Sequence, residues 1–154
     1  MSRVPRQVEE RAIIRFKGGI MLEADINHLA ILAAAIVSMA IGAVWYSPFI
    51  FGKIWMAQSG LRPEDMKGRG RAMAIAAVSA LVAAYVLAHF MALLDVQSLN
   101  RGLAVAFWVW LGFVATVMAL EMGFGGKSLK AYLIETGNQL ASFLAMGAIL
   151  SVWR

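Results

Sequence analysis

The chain has 154 residues, of which 61% are hydrophobic, and a formal net charge of +5. Its mean hydropathy is +0.72, and soluble domains are only about 45–50% apolar. The absence of cysteine excludes disulfides, thiolate metal sites and cysteine catalysis. The basic residues flank apolar segments and are not interleaved with aromatic residues, so we expect lipid headgroups and not nucleic acid beside them.

Four apolar segments, each about as long as a bilayer is thick, occupy more than half of the chain. They cover residues 26–46, 72–94, 102–122 and 129–153. A helix needs roughly 20 apolar residues to cross the hydrocarbon core, and in lipid the backbone must pair within the segment, which predicts helices. The sequence therefore predicts an all-α integral membrane protein, an up-and-down four-helix bundle formed by residues 25–154.

A charged arm, residues 1–24, precedes the first apolar segment. Val8, Ala12 and Phe16 recur at helical spacing, which predicts a short amphipathic helix. Two interpretations are open, an interfacial or partner-docking helix and a frayed tail. We do not expect a secretory signal, whose apolar core directly follows a short basic region. Met21 is an alternative start that would remove the arm.

The first apolar segment ends at the run Trp45–Pro48, Trp-Tyr-Ser-Pro. Its aromatic residues are typical of the membrane interface, and its proline ends the helix. The apolar run Phe49–Met56 is too short to cross a bilayer, so we predict that it lies along the interface. The later connections are short, which predicts antiparallel neighbours for the second, third and fourth helices.

The basic residues also bear on orientation. The 14 Lys and Arg residues divide equally, seven and seven, between the side of the chain ends and the side of the loops 47–71 and 123–130. Only those within about 15–20 residues of a helix end count fully, and they favour these loops as cytoplasmic. We therefore predict a multi-pass protein of the bacterial inner membrane with both termini in the periplasm.

Small residues recur at every fourth position within the apolar segments. Such rows let helices approach closely, which is how helices associate in lipid. The predicted packing residues are Ser38, Gly42, Ala76, Ala80, Ala84, Gly137 and Ala141. We expect these rows to pack the bundle; the alternative is a face for a second protein or a second copy.

Polar residues in and near the fourth segment form a predicted intramembrane site. The predicted site comprises Glu135, Asn138, Gln139, Glu121, Tyr46 and Ser47. The first three share one helix face, and up-and-down topology places the others at similar depth. An ionisable group inside a membrane segment indicates function. The alternative is that Glu135 pairs with Lys127 or Lys130 near the surface, while Asn138 ties helices together.

The two histidines, His28 and His89, are the remaining strong nitrogen ligands. The topology places them at one depth near the opposite membrane surface, where one of them would ligate a haem or a pigment. Two ligands without a third are too few for most metal sites, so we predict no metal and no cofactor. Nucleotide-binding, metalloprotease and hydrolase motifs are absent, and we predict that the protein is not an enzyme.

The run Ile41–Pro48, followed by Phe51-Gly52-Lys53 and Trp55-Met56, resembles the opening signature of the bacterial domain-of-unknown-function 1761 family. Leu111–Thr116 and Met146–Leu150 are similar to its third and fourth helices. The resemblance covers about residues 27–153 and implies a small four-helix membrane protein without an assigned activity. It also implies a histidine at the position that Gln139 occupies here.

Association is the function that the sequence favours. The protein would be an accessory subunit of a membrane complex or a homo-oligomer, with the lipid bilayer and other membrane subunits or itself as partners. One alternative is a small transporter or channel that uses the polar site around Glu135. A second alternative is a haem- or pigment-binding subunit that uses His28 or His89.

Overall fold

The structure is a computed structural model that describes residues 26–60 and 70–153. Throughout these ranges the chain folds into helices joined by short connections, as predicted. They are α1 (His28–Trp45), α2 (Gly52–Ser59), α3 (Gly70–Leu93), α4 (Leu99–Val109), α5 (Thr116–Gly125) and α6 (Leu129–Val152), with a π-helical segment, Trp110–Ala115, between α4 and α5. The predicted amphipathic arm, residues 1–24, lies outside the described residues.

Within the described residues, three helical stretches are long and apolar enough to cross a membrane. They are α1, α3 and the continuous run Leu99–Gly125 that joins α4 to α5. The 24 residues of α6 are enough to span, but this helix does not belong to that group. The polar residues between Glu135 and Gln139 lower the hydropathy of its first half.

Side chains and glycines define where the helices begin and end. The Asn27 side chain accepts the N–H groups of Leu29 and Ala30 at the start of α1, and the Ser128 hydroxyl accepts the Ala131 N–H at the start of α6. These side chains pair backbone donors that a helix start leaves free. Gly126 follows α5 with φ +71°, a left-handed conformation that glycine adopts without strain.

The helix α6 is the centre of the assembly. It packs against α1 on one side and α4 on the other, and α3 packs against α1. The Trp45 indole at the end of α1 reaches Ile134 near the start of α6, so these two helices are antiparallel. The helix α3 contacts the third apolar stretch through α4, which follows the turn that connects the two helices. In α3, residues 70–79 are all exposed, and burial begins at Ala80.

The closest helix contact lies between α4 and α6, near the end of α6. A Cβ atom built on Gly102 would overlap the Ser151 side chain, and one built on Gly147 would lie 2.6 Å from the Ala106 Cβ. Small residues permit this backbone contact, which is typical of helix pairs in membranes. The sequence analysis missed it, although the Gly102–Ala106 and Gly147–Ser151 pairs have the same four-residue spacing as the rows it selected.

The predicted packing residues have different environments. Ala80 and Ala84 are buried against the core, whereas Ala76 is exposed. The expectation that Ala76 packs the bundle is therefore not met in the described part of the chain, because burial in α3 begins only at Ala80. The remaining predicted packing residues are half-buried: Ser38, Gly42, Gly137 and Ala141.

Candidate functional site

A tight turn after α1 brings α2 back against the end of that helix. The Phe51 N–H donates to the Trp45 carbonyl over 3.1 Å, and the Gly52 N–H donates to the Ser47 carbonyl over 3.0 Å. A Cβ atom on Gly52 would overlap the Tyr46 carbonyl oxygen, so a larger residue requires a backbone shift here. Ser47 thus contributes its carbonyl to the turn.

Aromatic rings fill this turn, which we call the aromatic turn (residues 45–55). The ring centroids of Trp45 and Phe51 are 4.8 Å apart, and those of Tyr46 and Trp55 are 5.1 Å apart. These separations are typical of favourable aromatic pairs. The Trp-Tyr-Ser-Pro and Phe-Gly-Lys elements of the sequence therefore form one compact unit.

Glu135 is the centre of a charged cluster beside the aromatic turn. Lys127 Nζ lies 2.7 Å from one carboxylate oxygen of Glu135 and 2.9 Å from an oxygen of Glu121. The Trp55 indole N–H donates to the other Glu135 oxygen over 3.0 Å. The Glu135 side chain is 15% exposed, whereas Lys127 is 38% exposed. The geometry thus matches the alternative in which Glu135 pairs with Lys127; Lys130 is exposed.

The electrostatic environment alters two groups outside the apolar helices. Burial, followed by the negative charge of Glu135, raises the pKa of Tyr46 from 10.0 to about 12, although the positive charge of Lys127 opposes this. The hydrogen bonds that Lys127 donates to Glu135 and Glu121 raise the pKa of Lys127. At neutral pH the site therefore holds a neutral phenol and a charged ammonium group.

Two indoles hold the backbone of α6 on either side of Glu135. Trp45 Nε1 donates to the Ile134 carbonyl over 3.0 Å, and Trp110 Nε1 donates to the Thr136 carbonyl over 3.1 Å. These two carbonyls belong to the residues immediately before and after Glu135, so the indoles fix the backbone position from which the Glu135 side chain extends. The sequence analysis gave Trp110 no role, because the sequence does not show which helix a tryptophan faces.

The π-helical segment supports α6 at a second point. The Tyr132 hydroxyl donates to the Ala115 carbonyl over 3.2 Å, at the last residue of the segment. A π-helical turn changes the backbone pairing of a helix and often occurs at functional sites. Here it lies beside the first half of α6. No feature of the sequence predicted this segment.

Asn138 and Gln139 lie one turn deeper along α6 than Glu135. Asn138 is 6% exposed, and its Nδ2 has no hydrogen-bond partner among the described residues. Gln139 is exposed, although Thr136, Ser142 and Phe143, three or four residues away, are buried. Residues at these spacings are surface neighbours on a helix, so Gln139 is an exposed position among buried neighbours. We call the space in front of its side chain the vestibule.

Buried apolar side chains lie beyond the vestibule along the helix axis, and we call them its floor. Gln139 lies ten residues after Leu129, which corresponds to about 15 Å along a helix axis. Beyond it, Met146 and Leu150 of α6 are buried, as are Leu87 and Met91 of α3. The residues 70–79 of α3, at the opposite end of that helix from Leu87 and Met91, are all exposed. Apolar side chains therefore close the assembly at the end away from Glu135.

The two histidines are not part of the charged cluster around Glu135. His28 is exposed at the start of α1. His89 Nδ1 lies 2.8 Å from the Tyr85 carbonyl, and the two rings are tilted, with centroids 4.3 Å apart. The described residues contain no group of three or more His, Cys, Asp or Glu side chains that could hold a metal ion. Of the predicted polar-site residues, the structure brings together Glu135, Glu121 and Tyr46, with Asn138 and Gln139 next along α6.

These features define a class: a helical protein with apolar helices of membrane-spanning length and an ion-paired polar cluster at the start of its central helix. A family model described as a protein of unknown function, DUF1761, matches residues 29–151. The chain therefore belongs to the DUF1761 family, as its resemblance in sequence predicted. Comparisons with curated proteins and with solved structures find no match.

Proposed function

We propose that this protein crosses the bacterial inner membrane with four helices and binds a small polar molecule in the vestibule, as the binding step of a transporter. The Glu135 end faces the cytoplasm in this proposal, and both termini face the periplasm, as the distribution of basic residues favours. The proposal develops the alternative that the sequence analysis placed around Glu135.

Exposed apolar side chains support membrane insertion. Ile36, Val82 and Phe113 are 59%, 56% and 70% exposed, and each lies on a different one of the three helical stretches of membrane-spanning length. Soluble monomers rarely expose apolar patches of the extent that such helices present. Thr136, Asn138 and Ser142 of α6 are buried, as expected of polar residues in membrane helices that face the interior of the protein. This position makes α6 compatible with a fourth crossing.

The exposure of Gln139 is the observation that carries the proposal. An amide that faced lipid would be costly, so this side chain requires water, a ligand or a polar partner. Its depth of about 15 Å is half the hydrocarbon thickness of about 30 Å, and transporters bind their substrates near this level. The apolar floor formed by Leu87, Met91 and Met146 favours a one-ended binding site over an open pore.

Cysteine labelling tests the vestibule directly, because the chain has no cysteine of its own. A single Gln139→Cys variant in membrane vesicles should react with a charged, membrane-impermeant thiol reagent from the Glu135 side only. Leu133→Cys is the matched control, since Leu133 is 58% exposed on the outer surface of α6 and would face lipid. Met146→Cys, buried in the floor, should also be unreactive. A Gln139→Cys variant that reacts no faster than Leu133→Cys would contradict the proposal.

Association is a second candidate function, favoured by the first half of α3. The small residues Ala72 and Ala76 continue the buried row of Ala80 and Ala84, but they are exposed. A helix of another subunit or of a second copy would find a smooth surface there. Native mass measurement after mild detergent extraction tests it, and a strictly monomeric protein would contradict it. An absorption spectrum of the same sample tests the haem or pigment alternative at His28 or His89.

A further inference from the structure

The position of Lys127 points to the class of molecule that the site binds. Its ammonium group lies between two carboxylates, 2.7 Å from Glu135 and 2.9 Å from Glu121. Without this ammonium group the cluster would hold two negative charges side by side, which is unfavourable. The cluster is therefore built around a positive charge, and here the chain supplies that charge itself.

Lys127 is attached in a way that lets another cation replace it. It lies in the short connection between α5 and α6, directly after Gly126 with its φ of +71°, and its side chain is 38% exposed. The ion pair with Glu121, which is 57% exposed, contributes little net stability. A competing ammonium compound forms with Glu135 the same kind of pair that it replaces, and the freed lysine side chain can extend into water.

The aromatic turn favours an organic cation over a metal ion. Trp55 donates to the same Glu135 carboxylate that Lys127 contacts, and the Tyr46 ring lies 5.1 Å from that of Trp55. Aromatic rings beside a carboxylate attract alkylated ammonium groups, which combine a positive charge with apolar carbon. The described residues also hold no group of three metal-ligating side chains.

The second recognition element is Asn138, a separate observation from the charges. This residue is 6% exposed, and Nδ2 lacks a hydrogen-bond partner in the described part of the chain. A buried donor without an acceptor is costly, and native structures rarely leave one unsatisfied. Asn138 lies three residues after Glu135, so the two side chains share a helix face about 5–6 Å apart.

We infer that the site takes a small organic ammonium compound that carries a hydrogen-bond acceptor about 5–6 Å from its nitrogen. The ammonium group replaces that of Lys127 between Glu135 and Glu121, and the acceptor receives the Asn138 Nδ2–H. This inference rests on the proposed function, since the compound enters through the vestibule. It adds the class of substrate to the proposed function. It also makes Lys127 an internal competitor of the substrate for Glu135 and Glu121.

Calorimetric titration of the full-length protein in nanodiscs tests the substrate class with two matched amines. Aminobutanol carries its amine and hydroxyl at opposite ends of a four-carbon chain, and pentylamine has a methyl group in place of the hydroxyl. Aminobutanol should bind about five-fold more tightly, as one hydrogen bond predicts. Asn138→Leu should remove that difference. Equal binding of both amines to the unmodified protein would overturn the assignment of Asn138.

Two charge variants should act in opposite directions. Lys127→Gln removes the competitor and should tighten the binding of both amines. Glu135→Gln should weaken the binding of both amines by about ten-fold or more, because it removes the negative charge. The amide oxygen of this variant can still accept the Trp55 N–H. Lys130→Gln, an exposed neighbour, is the control and should change neither. A structural ion pair would give no increase with Lys127→Gln, so unchanged or weaker binding in that variant overturns the inference.

The two proposals fail separately. If Gln139→Cys is labelled from the Glu135 side but neither amine binds, the vestibule stands and the substrate class is wrong. If Gln139→Cys is not labelled, the vestibule itself is wrong, whatever the amines do. Glu121→Gln provides a check on folding, because Glu121 is 57% exposed. It should weaken amine binding less than Glu135→Gln does and leave the thermal stability unchanged.

Discussion

The two ends of α6 contact their surroundings in different ways. Near its end, Gly147 brings the backbone of α6 against α4, and the neighbouring space is filled by buried apolar side chains. Near its start, indole and tyrosine side chains bridge to the backbone, and Glu135 is held by Lys127 and Trp55. Between these ends lie Asn138, whose buried Nδ2 has no hydrogen-bond partner among the described residues, and the exposed Gln139.

This difference shows how a membrane helix assembly can combine stability with a polar site. Helices in lipid gain nothing from hiding apolar surface, so close packing and a few polar contacts hold them together. The glycine contacts supply close packing at one end. The other end is held by longer side chains, which would leave room for the proposed vestibule. We therefore expect substitutions at the closed end to affect stability and those at the open end to affect binding.

The largest effect on stability should come from the glycine contact. Gly147→Val should lower the free energy of unfolding by about 3 kcal/mol, because the added atoms meet Ala106 and the Gly102 backbone with no room to move. Thermal unfolding in detergent, followed by circular dichroism, measures it. The control is Gly123→Ala, where an added Cβ meets no described atom within 4 Å, and which should raise stability by about 0.5–1 kcal/mol. Equal stability of the two variants would contradict the close packing of α4 against α6 at Gly147.

A pair of alanine variants compares the two halves of α3. Ala84→Leu should destabilise by about 2 kcal/mol, because Ala84 is completely buried and the core has no space for three more carbon atoms. Ala76→Leu, two turns earlier and exposed, should leave the unfolding of a monomer unchanged. If Ala76→Leu instead lowers the native mass, this half of α3 is an association surface.

Replacement of the buried amide should have a smaller effect with the opposite sign. Asn138→Leu should raise the free energy of unfolding by about 1 kcal/mol, because it removes an unpaired buried donor and keeps the branched shape of the side chain. The same thermal unfolding assay applies, with Gln139→Leu as the control at an exposed position. A loss of stability in Asn138→Leu would mean that the Asn138 amide is satisfied, and the proposed acceptor site would fail with it.

The smallest effect at neutral pH should come from Tyr46→Phe. The pKa of Tyr46 in the folded protein, about 12, lies above its ordinary value of 10.0. Neutral Tyr46 therefore stabilises the fold below pH 10, and this contribution is lost as the pH rises from about 10 to 12. Stability measured across this range should fall less in Tyr46→Phe than in the unmodified protein. Tyr85→Phe controls for the loss of a phenol, and identical curves for all three proteins would contradict the prediction.

Hydropathy placed the long helices well, and it did so for a local reason. The predicted segments 72–94 and 129–153 match α3 and α6, which cover Gly70–Leu93 and Leu129–Val152, because apolar runs of this length are stable as helices wherever they pack. The resemblance to the DUF1761 family also rested on contiguous residues, the Trp-Tyr-Ser-Pro and Phe-Gly-Lys elements. Their shared role in the aromatic turn became visible only through the overlap of Gly52 with the Tyr46 carbonyl.

The site was harder to predict, because its properties depend on residues far apart in the chain. The sequence indicated a polar face on α6 and a partner for Glu135 among two lysines. It contained no sign of the Trp55 hydrogen bond, 80 residues away, or of the π-helical segment beside α6. Ala76 and Ala84 occupy equivalent positions in one row, yet only Ala84 is buried.

Hydropathy thus determined where the helices form, the sequence itself showed which residues are polar within α6, and the resemblance of short motifs indicated the family, since these are properties of short stretches of chain. The packing of α1, α3 and α4 around α6 decided which of those polar residues meet a partner, which one buries a donor that lacks a partner among the described residues, and which one is exposed. Burial is a property of the space between helices, and that space depends on contacts such as Gly102 with Ser151 and Trp45 with Ile134.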